Sequence, residues 1–494
     1  MAGAVEAKDY GALRSRYRRF VYRQYDWAQE GSWLVLRYHF GIDGLADFSP
    51  EWRIPVPDGA WDWREERWQQ LFLSLGMVEA LSYWKISCAP DFHVQAGLLP
   101  AAAWPFWEKL VWNGLGEFRY RNGIATERPD FVRFHGGRGE LLFSGTGAEG
   151  GPAAERAGLW TGSDFPASGR LIPVGGGKDS VLSLCLLEEL KDERSYLYCI
   201  NGLPAALRCM ERAAYPKERR IVVQRSLDPR MLELNREGYL NGHTPFSALV
   251  AFSALLVAEI YGLRDIVLSN EASANESSVH GSDINHQYSK SLEFEADFSR
   301  YCRQVLGRGQ RYFSLLRPLS EYAIINGFVR RPEFLPDFCS CNLGGKEGRW
   351  CGHCAKCLFI ALMLLPYYGV QGTEEILGAP IFSDPQMLPH ALDLLGCTEA
   401  KPFECVGTVG ELSYALVRSL NLGLDKVQQE GRDFSVLAEL RRRAEAGELP
   451  QIRRGEGQED FVCLADNPLV PAGELDLVPE DYRAYLIPVL ALRD

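Results

Sequence analysis

LIPVGGGKDSVLSLCLLEELK, residues 171–191, decides how the rest of the chain is read. LIPV (171–174) reads as a strand, GGGKDS (175–180) as a turn and VLSLCLLEELK (181–191) as an amphipathic helix. The same order returns downstream. SYLYCI (195–200), RIVVQRS (220–226) and DIVLSN (265–270) are strand text, and PFSALVAFSALLVAEIYGL (245–263) is a long helix with Pro245 near its first turn, where a missing N–H costs nothing. Short apolar strands alternating with helices predict an α/β fold, a parallel sheet with helices on both faces. Pro173 is discordant, because proline is rare inside central strands.

Outward from this unit the composition changes. Residues 144–169 are rich in Gly, Ala and Ser and read as a linker or long loop. They separate an N-terminal α+β region, 1–145, expected to bind substrate, from a nucleotide-type α/β domain over 170–365. The N-terminal region shows strand alternation in WLVLRYHF (33–40) and helical text in WREERWQQLFLSLGMVEALSYWK (63–85). After Cys357 a further helix, CLFIALMLL, is expected to stop at Pro366. The remainder, 366–494, reads as mostly helical, with a charged patch at 441–448.

The turn carries chemistry. Gly175, Gly176 and Gly177 let the backbone fold tightly and bring N–H groups to an anion at a helix N-terminus. Lys178 adds charge, Ser180 a hydroxyl, and Asp179 a carboxylate suited to Mg²⁺ held by phosphates. The loop is neither a Walker A loop nor a dinucleotide fingerprint. Its plainer reading is a glycine turn whose Asp or Ser caps the helix.

Cys341, Cys351, Cys354 and Cys357 have the spacing C-x9-C-x2-C-x2-C, which suits four thiolates on a structural Zn²⁺, with Cys339 and His353 as spare candidates. Between the two motifs lies the polar stretch 269–295, which follows a strand end, the place where parallel sheets bind ligands. Ser269, Asn270 and Glu271 sit at that end, and Asp283, His286, Lys290 and Glu293 are candidates for proton transfer. His286 leads them, since an imidazole titrating near 6.5 both takes and gives a proton near neutrality. A solvated loop with helix caps is the plainer alternative. Lys85 and Glu117 are lesser candidates. Arg14, Arg16, Arg18, Arg19 and Arg23 read as a solvated basic face, and Cys405, beside Glu404, as a small buried apolar residue.

A formal charge of −12 argues against a protein that coats nucleic acid. No segment reads as a run of about 20 apolar residues; the nearest is 246–258. The N-terminal residues contain no apolar signal segment, so no membrane insertion and a cytoplasmic location are expected. Five of the thirteen cysteines crowd between Cys339 and Cys357, and in a reducing compartment such a cluster points to metal binding rather than a disulfide framework.

GGKDS (176–180) resembles the SGGxDS loop of the PP-loop ATP pyrophosphatases, with Gly175 where that loop carries Ser. The cysteine spacing is similar to that of the 7-cyano-7-deazaguanine synthases, which share the loop. ALSYWK (80–85), GLGEFRYRN (114–122), SNEASANES (269–277), NHQYSKSLEFE (285–295) and KPFECVGT (401–408) together resemble the bacterial UDP-N-acetylmuramoyl-L-alanyl-L-glutamate epimerases, over nearly the whole chain. That resemblance implies a peptidoglycan-precursor enzyme. It would invert the terminal L-Glu of UDP-MurNAc-L-Ala-L-Glu to D-Glu through an acyl-adenylate, using ATP and Mg²⁺ and releasing AMP and pyrophosphate. The alternative within the superfamily is a ligase acting on a deazapurine or on tRNA.

Overall fold

The computed structural model describes residues 8–139, 168–277, 282–398, 401–426, 434–455, 459–470 and 476–491. The expected linker therefore lies, up to residue 167, outside the described residues. Strands form at β1 (Arg19–Glu30), β2 (Trp33–Ile42), β3 (Ala46–Phe48), β4 (Glu51–Pro55), β5 (Asp91–Pro100), β6 (Arg133–Gly139), β7 (Arg170–Pro173), β8 (Ser195–Ile200), β9 (Arg220–Ser226), β10 (Asp265–Leu268) and β11 (Arg311–Ser314). All of them join in one 11-stranded sheet of order β11-β10-β7-β8-β9-β4-β2-β1-β5-β6, with β3 beside β2.

The expected parallel unit is β11-β10-β7-β8-β9. Its strands alternate between two cores, one on each face. Leu171, Ile266 and Tyr312 point into the core that holds the helices Glu66–Trp84 and Phe246–Tyr261, while Ile172, Val267 and Phe313 point into the core of the helices Lys178–Leu186, Glu321–Phe328 and Ala355–Leu377. Pro173 is tolerated because it ends β7. Pairing with β10 has already stopped at Ile266–Leu171, and the next ladder bond runs from Val174 N–H to the Tyr198 carbonyl.

The N-terminal region is not a separate sheet. β9 pairs antiparallel with β4, Trp52 opposite Arg225, so the ladder crosses the expected boundary. Beneath this seam the buried Glu79 accepts from Arg225 Nε (2.8 Å) and Nη2 (2.9 Å) and from Trp52 Nε1 (3.0 Å). Burying these charges costs less because the forked pair satisfies both partners.

Two expectations about apolar helices are corrected. The longest is Ala355–Leu377 rather than 246–258, and by length and composition it is sufficient to cross a membrane; 67% of its apolar window is buried inside the protein. It also does not stop at Pro366. Proline removes one hydrogen bond but keeps a helical φ, and the break comes at Gly369, whose φ of 64° and ψ of −175° leave the helical region. Beyond it lie the helices Met387–Leu394, Val409–Asn421 and Ser435–Glu445, with a hairpin pairing Ile452–Arg454 and Phe461–Cys463.

Candidate functional site

The glycine loop leads from β7 into the helix Lys178–Leu186, with Gly177 as its N-cap. Gly176 has a φ of +84°, and a Cβ there would lie 2.5 Å from the Ala206 nitrogen, so only glycine fits. Gly175 has open space around it. The Ser180 hydroxyl accepts from Gly176 N–H (3.2 Å) and donates to the Gly177 carbonyl (3.0 Å), which fixes the turn. Both of its hydrogen bonds thus go to the loop backbone.

Lys178 differs from expectation. Its ammonium is fully buried and paired with Asp179 and Glu321. Burial opposes its charge, yet Asp179 and Glu321 hold its pKa above the ordinary lysine value. Burial also opposes the Asp179 carboxylate, but Lys178 and Lys356 outweigh it and hold it low. For Glu321 burial wins and raises the pKa. Oxygens of Asp179, Glu271 and Glu321 lie within 4.8 Å of one another, a set that can hold one divalent cation.

Around this triad stand Lys290 and Lys356. Lys290 Nζ donates to Cys405 Sγ at 3.1 Å, and Lys356 Nζ donates to the Cys405 carbonyl. Arg317, itself buried, donates to the Glu271 carbonyl (2.6 Å), the Lys290 carbonyl and the Glu295 carboxylate. It thereby ties the end of β10 to the turn that carries Lys290. Asn270 joins the same network through Ser314 (2.9 Å), whose hydroxyl donates to Glu295. Ser269 Oγ is buried with no hydrogen-bond partner among the described residues.

The other polar candidates gather in a second cluster. Lys85 donates to the carbonyls of Gly242 and His243 and to Thr244 Oγ1 (2.6 Å). Glu117 pairs with Arg121 (2.7 Å) and faces His243 at 3.4 Å. His286 packs edge-on against Phe403, ring centroids 6.0 Å apart. Burial lowers Lys85 to about 8, His286 to about 4 and His243 to about 3, and raises Glu117. An imidazole titrating near 6.5 is therefore not what the fold provides: His286 is neutral at pH 7. Asp283 is exposed, and Glu293 is spent on an ion pair with Lys109 (2.6 Å). Arg14 donates to the carbonyls of Cys88 (2.6 Å) and Phe131 (2.9 Å), so it is a structural brace rather than part of a solvated face.

The four cysteines converge. Cys341 and Cys354 sulfurs are 4.0 Å apart and those of Cys351 and Cys357 3.7 Å, close to the roughly 3.8 Å edge of a tetrahedral zinc–thiolate site. Gly344 N–H points at Cys341 Sγ (3.2 Å). Cys339 stands outside the quartet; its N–H donates to the Gly176 carbonyl (2.9 Å), and His353 is exposed. Next to Cys339, Ser340 lies against Gly177, so the segment leading into the quartet also buttresses the glycine loop.

Residues 12–315 match the MurL N-terminal domain and residues 337–452 the MurL C-terminal domain. The chain belongs to the MurL family. Curated MurL relatives named UDP-N-acetyl-alpha-D-muramoyl-L-alanyl-L-glutamate epimerase include one from Xanthomonas oryzae pv. oryzae, 33% identical over 347 residues, 69% of this chain and 72% of the relative. Another, from Salinispora tropica, is 32% identical over 384 residues, 76% of this chain and 79% of the relative. A third, from a Micromonospora species, is 30% identical over 407 residues, 81% of this chain and 85% of the relative. No solved structure matches the chain.

The two MurL domains meet at the site. The N-terminal match supplies the glycine loop, Glu271 and Lys290; the C-terminal match supplies the cysteine quartet, Lys356 and Cys405; Glu321 stands between the matched spans. Glu321, Lys356, Arg317 and Glu295 are absent from the sequence reading. Glu321 and Arg317 are isolated charges in their local text, while Glu295 and Lys356 fall inside motifs read for other residues; burial marks all four.

Proposed function

We propose that this MurL-family chain epimerises the terminal L-Glu of UDP-MurNAc-L-Ala-L-Glu to D-Glu, splitting ATP to AMP and pyrophosphate through an acyl-adenylate. The reading is supported above all by one juxtaposition: a glycine loop at a helix N-terminus, of PP-loop type, beside the Asp179–Glu271–Glu321 triad at the carboxyl ends of parallel strands. Loop N–H groups suit phosphate oxygens. The triad suits Mg²⁺, which when bound neutralises phosphate charge; the donors are all carboxylates, as a hard cation requires. The cysteine quartet is assigned a structural Zn²⁺, since four protein thiolates leave no open position.

The chemistry explains why ATP is needed. A carboxylate acidifies the neighbouring Cα–H poorly, because removing the proton would add a second negative charge. In the proposed first step a carboxylate oxygen bonds to the α-phosphorus and pyrophosphate leaves. The acyl-adenylate then accepts the electron pair of the breaking Cα–H bond, a proton returns to the other face, and water releases AMP and the D-epimer. Lys290 and Lys356 offset anionic charge in a chain whose net charge is −12.

The test is incubation with ATP, Mg²⁺ and UDP-MurNAc-L-Ala-L-Glu, followed by chiral analysis of glutamate and nucleotide analysis. D-Glu with equimolar AMP and pyrophosphate is expected. ADP and phosphate would overturn the PP-loop assignment.

A further inference from the structure

The epimerisation proposed above needs two proton carriers, one for each face of Cα, and it fixes where they must stand. In an acyl-adenylate Cα is three bonds from the α-phosphorus, so a carrier has to reach in beside the group that holds that phosphate. The side chains near the glycine loop can be sorted by whether they have a lone pair to offer. Lys178 is sealed between Asp179 and Glu321, and those carboxylates, with Glu271, form the cation-binding triad. Lys290 and Lys356 present ammonium groups, which donate hydrogen bonds and accept none. His286 packs against Phe403 in the second cluster. A further acceptor, held directly against these two lysines, is a sulfur.

We infer that Cys405, held by Lys290, is one of the two proton carriers. Its thiol receives Lys290 Nζ at 3.1 Å, and Lys356 grips its backbone carbonyl, so both ends of the residue are fixed. Lys290 is itself fixed by Arg317, which takes its carbonyl. The segment after Cys405 is pinned by the capping box at Thr408 and Glu411, and Glu411 also accepts from Glu321 N–H at 2.7 Å. Among the described residues no other cysteine sulfur accepts a hydrogen bond from a lysine. Nor is Cys405 sealed in the core like Cys88, Cys209 and Cys302; it is only half-buried. Two residues before it, Phe403 packs against both His286 and Tyr120, so this strand of chain borders both polar clusters.

The step balances. The Cα–H bond breaks, its proton forms an S–H bond on the Cys405 thiolate, and the electron pair enters the acyl group as an enolate. A second group returns a proton to the opposite face. The Lys290 ammonium, 3.1 Å from the sulfur, stands where a cation would offset the charge of a thiolate carrier. No oxidant or reductant is consumed.

The test uses the full-length protein with its metals, as wild type, Cys405→Ser and Cys405→Ala, in D₂O with ATP, Mg²⁺ and UDP-MurNAc-L-Ala-L-Glu. Pyrophosphate release in a single turnover and deuterium at Cα are read separately. Both variants should release pyrophosphate within about threefold of wild type while D-Glu formation falls about 100-fold or more, the range expected for a lost acid–base group. Retained pyrophosphate release also reports a folded protein. D-Glu formation close to wild type in either variant overturns the carrier role. So does a parallel loss of pyrophosphate release and epimerisation, which would make Cys405 a part of the fold or of ATP positioning. A wild type that yields no D-Glu and no pyrophosphate overturns the epimerase reading itself, a separate result from the first two.

Discussion

Two groups of anion-forming side chains adjoin the glycine loop, and they handle charge in opposite ways. The carboxylates Asp179, Glu271 and Glu321 are matched by the chain's own cations, Lys178, Lys290 and Lys356. For the four thiols Cys341, Cys351, Cys354 and Cys357, no lysine or arginine donates to their sulfurs among the described residues. A group whose charge is balanced internally can take up and give back a cation without losing its structure. Four thiolates without internal balance would need a bound cation in the folded state, the role proposed for Zn²⁺. On the proposed reading the difference separates a site that turns over from one that holds the fold, and the two are joined through Cys339 and Ser340.

The strongest way to break this contrast is Cys357→Ser. Losing one of four thiolates should remove the metal and leave most of the chain insoluble, since structural zinc contributes roughly 10 kcal/mol or more to folding in small zinc domains. Metal content and soluble yield check it; a soluble, metal-free, stable variant would make the quartet dispensable. Next comes Lys178→Met. Removing a fully buried ammonium leaves two carboxylates facing each other, expected to cost about 3 to 5 kcal/mol, read by urea unfolding, with pyrophosphate release lost as well. Unchanged stability would show that the lysine does not balance the triad.

A third test uses burial that outweighs a counter-charge, since Glu117 opposes the shift. His286 has its pKa depressed to about 4 by burial. Below pH 6.5 the unfolded chain binds a proton that the folded imidazole refuses, so stability is fully present above 6.5 and declines as the pH falls toward 4. The slope from one such histidine is at most about 1.4 kcal/mol per pH unit. His286→Gln should match wild type at pH 7 and lose less stability between pH 6.5 and 5. Identical acid limbs in the two proteins would refute the buried-neutral assignment. The smallest effect is Gly175→Ser. A Cβ there meets nothing within 4 Å, so the substitution should be neutral or stabilise by about 0.5 kcal/mol, and the KM for ATP should not rise. A raised KM would mean that the space over Gly175 is filled by substrate.

What the sequence made legible follows from distance along the chain. β8 and β9 form over the short apolar runs that read as strands, and the thiols of the quartet meet as their local spacing requires. The carboxylate triad draws on residues 179, 271 and 321, and only the first sits in a recognisable motif. Glu321 has no local text that distinguishes it from a surface glutamate. Cys405 reads as an apolar cysteine until the fold brings Lys290 to it. Asp283 shows the reverse case: the polar loop offers several acidic and basic groups, and in the fold Asp283 is exposed while the His286 ring is largely buried. The seam between β4 and β9 was equally hidden, because register between strands about 170 residues apart leaves no periodic trace.

That seam has a consequence during synthesis. When β4 leaves the ribosome its outer edge has no neighbour, and the strand that will cover it, β9, is still far from being translated. For that interval the nascent N-terminal half displays an open row of backbone donors and acceptors beside Trp52 and Ile54, a template for pairing with another chain. Glu79 waits as well, since its guanidinium partner is on the same late strand. The half-made protein is thus the form most exposed to aggregation, and chaperone cover or slow translation between these two strands should govern how much of it reaches the native state.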